Sequence, residues 1–287
     1  MLRSLVALLL APVLLPGAAA LSPSQQQTLA LQVQLDRAHF SPGEIDGRGG
    51  SNTRAAQAAF AAAGLAPDTA PVTVTYTITD ADAAGPYTPV PEDLMEQSKL
   101  PALAYASVLE ALGERFHASP ALLEALNPKA TFAAGEQIEV PNVERTPLAG
   151  VAKVIVDQSD RAVIAQDEAG KVLARYPASM GSEHDPLPIG DWAINGTSKG
   201  PPEFNYNPDL FWDADVAHSK AKIAPGPNNP VGLVWIDLSK DHYGIHGTPR
   251  PENIGKTQSH GCIRLTNWDA LELGAAVKPG MPAVLQE

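Results

Sequence analysis

The 287-residue chain lacks the means to form an internal disulfide, because it contains a single cysteine. It also lacks an excess of basic residues, since 20 Lys and Arg stand against 32 Asp and Glu and the net charge is −12. Nucleic acids are therefore not expected as partners, because their phosphates require basic patches. No stretch beyond the first twenty residues is apolar over the roughly 20 residues that a membrane span needs.

The first twenty residues have the pattern of a secretory signal. Arg3 precedes an apolar run over residues 5–15, and small residues follow at positions 17–20. The run is too short to cross a membrane as a helix. We therefore expect residues 1–20 to be removed, leaving an exported protein of the periplasm or cell envelope that begins at Leu21.

The lone cysteine, Cys262, lies in the sequence Ser-His-Gly-Cys-Ile-Arg at residues 259–264. His246 lies upstream, in the sequence Tyr-Gly-Ile-His-Gly-Thr at residues 243–248. A cysteine nucleophile with a histidine base is the chemistry of acyl transfer. Two alternatives stay open, a buried inert cysteine that packs like a small hydrophobe and a zinc site. The zinc ligands would be His242, His246, His260 and Cys262.

Residues 21–68 are predicted to form a small helical unit. Periodic apolar residues indicate a helix, a turn-rich loop and a second helix that Ser51 caps. Residues 40–47 and 51–56 resemble the small helical peptidoglycan-binding domain. A helical spacer is the alternative for this segment.

Residues 72–145 are predicted to form a second small unit, of α+β type. An alternating strand precedes a proline-containing insertion, two helices that open at Ser107 and Ser119, and a short final strand. This order resembles a LysM carbohydrate-binding module with an insertion after its first strand.

Residues 150–287 change to short alternating strands, so the last half of the chain is predicted to be mainly β. A helix is predicted from Asn267, with Leu271 and Leu273 facing inward. The predicted fold is therefore a mainly β domain preceded by a small α-helical module and a small α+β module.

The two motifs at residues 243–248 and 259–264 match, in content, order and spacing, the signature of the L,D-transpeptidase catalytic domain, also called YkuD-like. The resemblance covers about residues 151–285. It implies a β-sandwich with short helices for this domain, and it implies neither a metal nor a cofactor.

The resemblance also implies roles for the motif residues. Cys262 would be the nucleophile, His246 its base, and the carbonyl group of Gly247 the partner that orients the imidazole. Backbone N–H groups near Gly261 and Cys262 would face the developing oxyanion. The remaining motif residues are expected to bind substrate or shape its site; they are Tyr243, Ser259, His260 and Arg264.

The expected partners are the stem peptides and glycan strands of peptidoglycan. By resemblance, the enzyme would attack a tetrapeptide stem, release D-alanine and pass the acyl group to an amine, which forms a cross-link. Water as acceptor would make it a carboxypeptidase, and a lysine of an envelope protein would make it an anchoring enzyme. An amidase or peptidase that trims wall peptides, or a wall-binding protein without catalysis, are the rival functions.

Overall fold

The computed structural model describes residues 21–287, so the predicted signal at residues 1–20 lies outside the described part of the chain. No helix within residues 21–287 has both the length and the apolar character to cross a bilayer. The first half contains helices α1 (Pro23–Arg37), α2 (Ser51–Ala62), α3 (Asp80–Ala84), α4 (Leu94–Gln97), α5 (Val108–Arg115) and α6 (Pro120–Leu126), with strands β1 (Thr73–Thr77) and β2 (Gln137–Pro141).

The second half contains strands β3 (Lys153–Asp157), β4 (Ala162–Gln166), β5 (Val172–Pro177), β6 (Gly190–Thr197), β7 (Phe204–Tyr206), β8 (Ala221–Ile223), β9 (Trp235–Leu238), β10 (Gly244–His246), β11 (Ile263–Arg264) and β12 (Pro282–Gln286), and helix α7 (Asn267–Ala276). The predicted change to short strands in this half is confirmed.

The first helical unit begins at a capping box. The Ser22 hydroxyl accepts a hydrogen bond from the Gln25 N–H, and the Gln25 side chain accepts one from the Ser22 N–H. The prediction that Ser51 caps α2 is wrong, because Gly50 occupies the cap position and Ser51 is the first helical residue. The helix therefore starts one residue earlier than the polar side chain suggests.

The second unit has the predicted order of strand, two helices and strand. Strands β1 and β2 pair antiparallel over all five residues. The hydroxyls of Ser107 and Ser119 accept hydrogen bonds at the starts of α5 and α6, so both predicted helix starts are confirmed. Leu29 and Val33 of α1 pack into the same core as Leu112 of α5, so the two front units share one hydrophobic core.

Eight strands of the second half form one continuous sheet in the order β11-β10-β9-β6-β12-β3-β4-β5. The first part of β6 pairs with β12 and its second part pairs with β9, and the register shifts between Ile194 and Gly196. A bulged strand of this kind allows one half of a sheet to turn against the other. Both halves contribute to one core with α7, which includes Val154, Ile236 and Leu273.

Helix α7 covers part of this sheet. The hydroxyl of Thr266 accepts a hydrogen bond from the Asp269 N–H and thus caps the helix. Leu273 is fully buried, but Leu271 is 44% exposed, so the prediction that both face inward is wrong. Two residues along a helix are rotated by about 200°, and one apolar stripe therefore cannot hold both.

Buried charged groups join the front units to the second half of the chain. The Arg145 guanidinium lies 3.1 Å from the Asp36 carboxylate of α1 and 2.7 Å from the Glu272 carboxylate of α7. His117 donates to Asp36 at 3.1 Å, and His39 donates to Glu272 at 2.9 Å. Asp36 is fully buried, and its pKa is lowered by His117 and Arg145 against the effect of burial. Each carboxylate therefore depends on cations from another part of the chain.

Replacing Arg145 by Met should lower the free energy of unfolding by about 3–5 kcal/mol, because two buried carboxylates would lose their shared cation. Urea denaturation followed by tryptophan fluorescence measures this loss. The matched control is Lys99→Met, which breaks an exposed pair with Glu96 and should cost less than about 1 kcal/mol. Equal losses in the two variants would show that the buried cluster does not hold the halves together.

Candidate active site

The two sequence motifs meet on neighbouring strands at one edge of the sheet. Strands β10 and β11 run parallel, with Ile245 opposite Ile263 and His246 opposite Arg264. Cys262 directly precedes β11, and the Gly244 N–H of β10 and the charge of Arg264 both act on its thiol. The charge of Arg264 also acts on His246, so residues that are 16 positions apart in sequence meet at one guanidinium.

The imidazole of His246 is buried and held in one orientation. Its Nδ1 lies 2.7 Å from the carbonyl oxygen of Gly247. A carbonyl oxygen can only accept, so Nδ1 carries the proton and Nε2 is left as the basic nitrogen. The indole of Trp235 stacks on the ring at 5.4 Å, with an angle of 15° between the planes.

The electrostatics of this pocket keep His246 neutral. Burial lowers the pKa of His246 to about 3, the positive charge of Arg264 adds to this effect, and the Gly247 carbonyl opposes it. An imidazole with so low a pKa is uncharged throughout the neutral range. It can therefore take up a proton only when a negative charge develops beside it.

Asn267 fixes the backbone that holds His246. The side chain is fully buried, and its Oδ1 accepts a hydrogen bond from the Leu233 N–H at 3.1 Å. A Cβ atom at Gly247 would lie 2.1 Å from this Oδ1, so only glycine fits here. The Nδ2 of Asn267 donates to Glu114 of helix α5 at 3.3 Å. The sequence marks Asn267 only as a helix start, and this contact was not predicted.

Cys262 carries a protonated thiol at neutral pH. Burial raises the pKa of the thiol, while the Gly244 N–H and the Arg264 charge act in the opposite direction. The Sγ donates to the carbonyl of His242 at 3.6 Å, and no hydrogen bond joins it to His246 among the described residues. The resting site therefore contains a neutral thiol and a neutral imidazole, and the proton must move during attack on a substrate.

The loop before Cys262 exposes backbone donors. Gly261 has a φ of +96°, a backbone conformation that favours glycine. A Cβ atom at this position would also lie only 2.9 Å from the ring of Tyr243, so a side chain has no room there. Within residues 21–287 the N–H groups of Gly261 and Cys262 have no acceptor. They are free to bind an oxyanion, as the sequence analysis expects.

The hydroxyl of Ser259 contacts the backbone of the site. Its side chain is buried, and its hydroxyl donates to the carbonyl oxygen of Cys262 at 2.6 Å. The hydroxyl thus braces the loop that carries the thiol, and the expected contact of Ser259 with substrate stays a prediction. Tyr243 does lie at the site, against Gly261, and the neighbouring thiol contributes to the raised pKa of its phenol.

Arg264 is a half-buried cation beside the thiol. Burial lowers the pKa of its guanidinium, while Cys262 and Asp213 act in the opposite direction. Its charge acts on both His246 and Cys262. A guanidinium binds a carboxylate in two-pronged geometry, so the site is suited to an anionic group of a substrate.

A cap over the site was not predicted from the sequence. We define the cap as residues 204–223, which contain the paired strands β7 and β8. Its Asp213 carboxylate accepts a hydrogen bond from His260 Nε2 at 2.7 Å. The exposed indole of Trp212 stacks on His184 at 4.2 Å, and Phe211 packs edge-on against the ring of His260 at 5.0 Å. The cap thus contacts the loop of Cys262 at His260, through the Asp213 carboxylate and through aromatic rings.

The four residues of the zinc alternative do not form a metal-binding group. Within residues 21–287, no cluster of three or more His, Cys, Asp or Glu side chains is arranged to hold a metal ion. The contacts of the site are instead those of a thiol, an imidazole and a guanidinium on one face.

Comparisons with known proteins agree with this chemistry. The pattern of the YkuD L,D-transpeptidase catalytic domain matches residues 152–285. A Bacillus licheniformis protein that bears the name L,D-transpeptidase YkuD is 30% identical over 60% of this chain and 89% of its own length. A Bacillus subtilis protein of the same name is 29% identical over the same shares.

Solved structures with a similar chain path are also L,D-transpeptidases. One from Mycobacterium smegmatis has a TM-score of 0.38 and 19% identity, covering 54% of this chain and 65% of its own. L,D-transpeptidase 3 from Mycobacterium tuberculosis, with a faropenem-derived adduct, has a TM-score of 0.39 and 17% identity over 54% and 75%. The family assignment rests on the sequence relatives.

At pH 7, iodoacetamide should alkylate Cys262 more slowly in the folded protein than in the same protein unfolded by urea. Burial raises the pKa of the folded thiol above the usual 9.0, and the thiolate is the reactive form. The folded rate should still be rising above pH 9.0. Arg264→Met should slow it further at each pH, because the guanidinium lowers the thiol pKa. A plateau at about pH 5–7, typical of a thiolate beside an imidazolium, would contradict this picture.

Replacing Asp213 by Asn should loosen the cap, because the charge on the acceptor for His260 is lost. The pair is partly exposed, so we expect only about a 2- to 5-fold faster amide hydrogen exchange in residues 209–218. Exchange measured by mass spectrometry tests this. The control is Asp209→Asn, which removes a largely exposed pair with Lys220 and should leave the exchange rate of these residues unchanged. Equal exchange in Asp213→Asn and the unchanged protein would show that the ion pair does not hold the cap.

Proposed function

This chain belongs to the L,D-transpeptidase family, and we propose that it transfers an acyl group through a thioester on Cys262. One observation carries this proposal. The imidazole of His246 has its Nδ1 on the Gly247 carbonyl and its basic Nε2 free, and the guanidinium of Arg264 acts on both this ring and the Cys262 thiol. A base of fixed tautomer beside a nucleophile is the arrangement that activates a thiol.

In the first half-reaction, the Cys262 sulfur attacks the carbonyl carbon of a peptide bond while its proton passes to His246 Nε2. The N–H groups of Gly261 and Cys262, which have no acceptor within residues 21–287, are proposed to bind the oxyanion that forms. The C–N bond then breaks, and the leaving amine takes the proton from the imidazolium. A thioester and a free amine result.

In the second half-reaction, an acceptor amine enters the place of the leaving amine. His246 Nε2 takes a proton from the amine as its nitrogen bonds to the thioester carbon. The C–S bond breaks, and the sulfur recovers the proton from His246. The low pKa of His246 suits this step, because a neutral imidazole is needed to accept the proton.

We propose a tetrapeptide stem of peptidoglycan as the donor substrate. The attacked carbonyl belongs to the L-centre of the third residue, usually diaminopimelate, and D-alanine leaves. Arg264 is the residue suited to hold a carboxylate of this substrate, because its guanidinium is a cation beside the thiol. An amine of a second stem is the proposed acceptor, which makes a cross-link.

Water or a protein lysine could take the place of that amine. Water would shorten the stem and give a carboxypeptidase, and a lysine would attach an envelope protein. The site residues are the same in all three cases, so the products decide among them. A wall-binding protein without catalysis is disfavoured by the oriented His246 and the free N–H groups.

Export to the periplasm or cell envelope is part of the proposal. It is supported by the signal-like residues 1–20 and by the location of the proposed substrate outside the cytoplasm. The two front units, residues 21–68 and 72–145, are proposed to act as peptidoglycan-binding and LysM-like modules. Their order of helices and strands supports this proposal.

Replacing Cys262 by Ala should abolish turnover of a disaccharide-tetrapeptide by at least about 10⁴-fold, because the thioester cannot form. Mass spectrometry should show D-alanine and peptide-linked dimers with the unchanged protein only. The exposed variant Leu65→Ala serves as the control and should behave like the unchanged protein. Dimers formed by Cys262→Ala would refute the nucleophile, and shortened stems without dimers would identify water as the acceptor.

A further inference from the structure

A second concave site lies between the front units and the catalytic domain. A cleft of about 580 Å³ is lined on one side by the insertion after β1 and by helix α5. Pro227, Leu233 and helix α7 form the other side. None of the eight residues predicted for the active site lines it. Leu271, which was expected to face inward, is exposed and belongs to the wall of this cleft. The exposed face of α7 therefore forms part of the cleft.

Aromatic rings form much of the surface of the cleft. Tyr87 and Tyr105 come from the insertion, and Trp268 comes from the first turn of α7. The Trp268 indole is itself supported by His117, whose ring stacks on it at 5.0 Å and 8°. Rings from both halves of the protein thus line one cavity, and its volume lies in the range of small-molecule sites, about 300–1,000 Å³.

Several polar atoms in the cleft have no partner within residues 21–287. Trp268 is 7% exposed, and its Nε1 is buried without an acceptor. The Tyr105 hydroxyl and the Glu114 Oε2 make no hydrogen bond within these residues either, and both side chains are partly exposed. Buried polar groups normally have partners, so the indole N–H is a donor that a group bound in the cleft can satisfy.

The polar groups of the cleft are uncharged at neutral pH or already neutralised. Burial raises the pKa of Glu114 to about 8, so its carboxyl group carries a proton and can donate. Burial and the neighbouring Glu114 raise the pKa of Tyr105, whose phenol stays neutral. Arg115 pairs with Asp82 at 3.0 Å and lies over the ring of Tyr76. The cleft therefore offers neutral donors and acceptors between aromatic faces.

We propose that this cleft binds an uncharged saccharide, one or two N-acetylated sugar units of the glycan strand that carries the stem peptide. The C–H faces of a sugar ring stack on Tyr87, Tyr105 and Trp268, while its hydroxyl and acetamido groups meet the Tyr105 hydroxyl and the Glu114 carboxyl. The identity of the sugar as part of that strand rests on the proposed function. The cleft itself does not depend on Cys262.

The cleft and the active site are the two ends of one chain of contacts. Glu114 Oε1 accepts from Asn267 Nδ2 at 3.3 Å, and Asn267 Oδ1 lies against Gly247, whose carbonyl holds His246. A single side chain thus separates the cleft from the backbone of the catalytic histidine. A glycan strand in the cleft and its stem peptide at Cys262 would be bound on opposite sides of Asn267.

The test is calorimetric titration of the complete protein carrying Cys262→Ala with the tetrasaccharide of β-1,4-linked N-acetylglucosamine, which has no peptide. Saturable binding is expected. Tyr105→Phe should weaken it by about 3- to 10-fold, because one hydrogen bond is lost. Glu114→Gln should bind as tightly as the parent, since the amide still donates, whereas Glu114→Ala should bind less tightly. Leu65→Ala is the exposed control, and thermal unfolding of each variant verifies the fold.

Absence of saturable binding by the folded parent would overturn the proposal. So would equal affinities of the parent, Tyr105→Phe and Glu114→Ala, or a loss of affinity as large in Leu65→Ala as in Tyr105→Phe. The deacetylated tetrasaccharide, which is cationic, should bind more weakly, and tighter binding of it would contradict a neutral site. Because the probe carries no stem peptide, this result is independent of whether dimers form in the transpeptidation assay.

Discussion

The hydrogen bond from His246 Nδ1 to the Gly247 carbonyl is the contact on which the rest of the site depends. It sets the tautomer and leaves Nε2 unprotonated, a task that an acidic side chain performs in many other triads. A backbone carbonyl adds no negative charge, so it does little to raise the pKa of the imidazole. Burial and the charge of Arg264 therefore keep the imidazole neutral.

That carbonyl must itself be held in place. Asn267 lies so close to Gly247 that any side chain there would collide with it, and Val234 accepts the Gly247 N–H at 3.4 Å. Arg264 lowers the pKa of both the thiol and the imidazole. Its positive charge therefore favours the thiolate form of Cys262 and disfavours the imidazolium form of His246.

The sequence predicted those parts of the structure that depend on local patterns. The short strands of residues 150–287 and the helix starts at Ser107 and Ser119 follow from alternation and caps. The parts it missed depend on contacts between distant residues. Asn267 reaches Glu114 across 153 positions, and Asp213 reaches His260 across 47, and neither residue belongs to a local pattern.

Helix α7 shows why such contacts could not be predicted, because each of its faces meets a different part of the chain. Asn267 contacts the backbone of the catalytic histidine, and Trp268 and Leu271 line the cleft. Glu272 accepts from Arg145 and His39 in the buried junction, while Leu273 packs in the core of the sheet. A helix with one apolar stripe would need only the core contact. The polar residues Asn267 and Glu272 interrupt the apolar stripe of α7 because they contact side chains of the front units. Asn267 contacts Glu114, and Glu272 contacts Arg145 and His39.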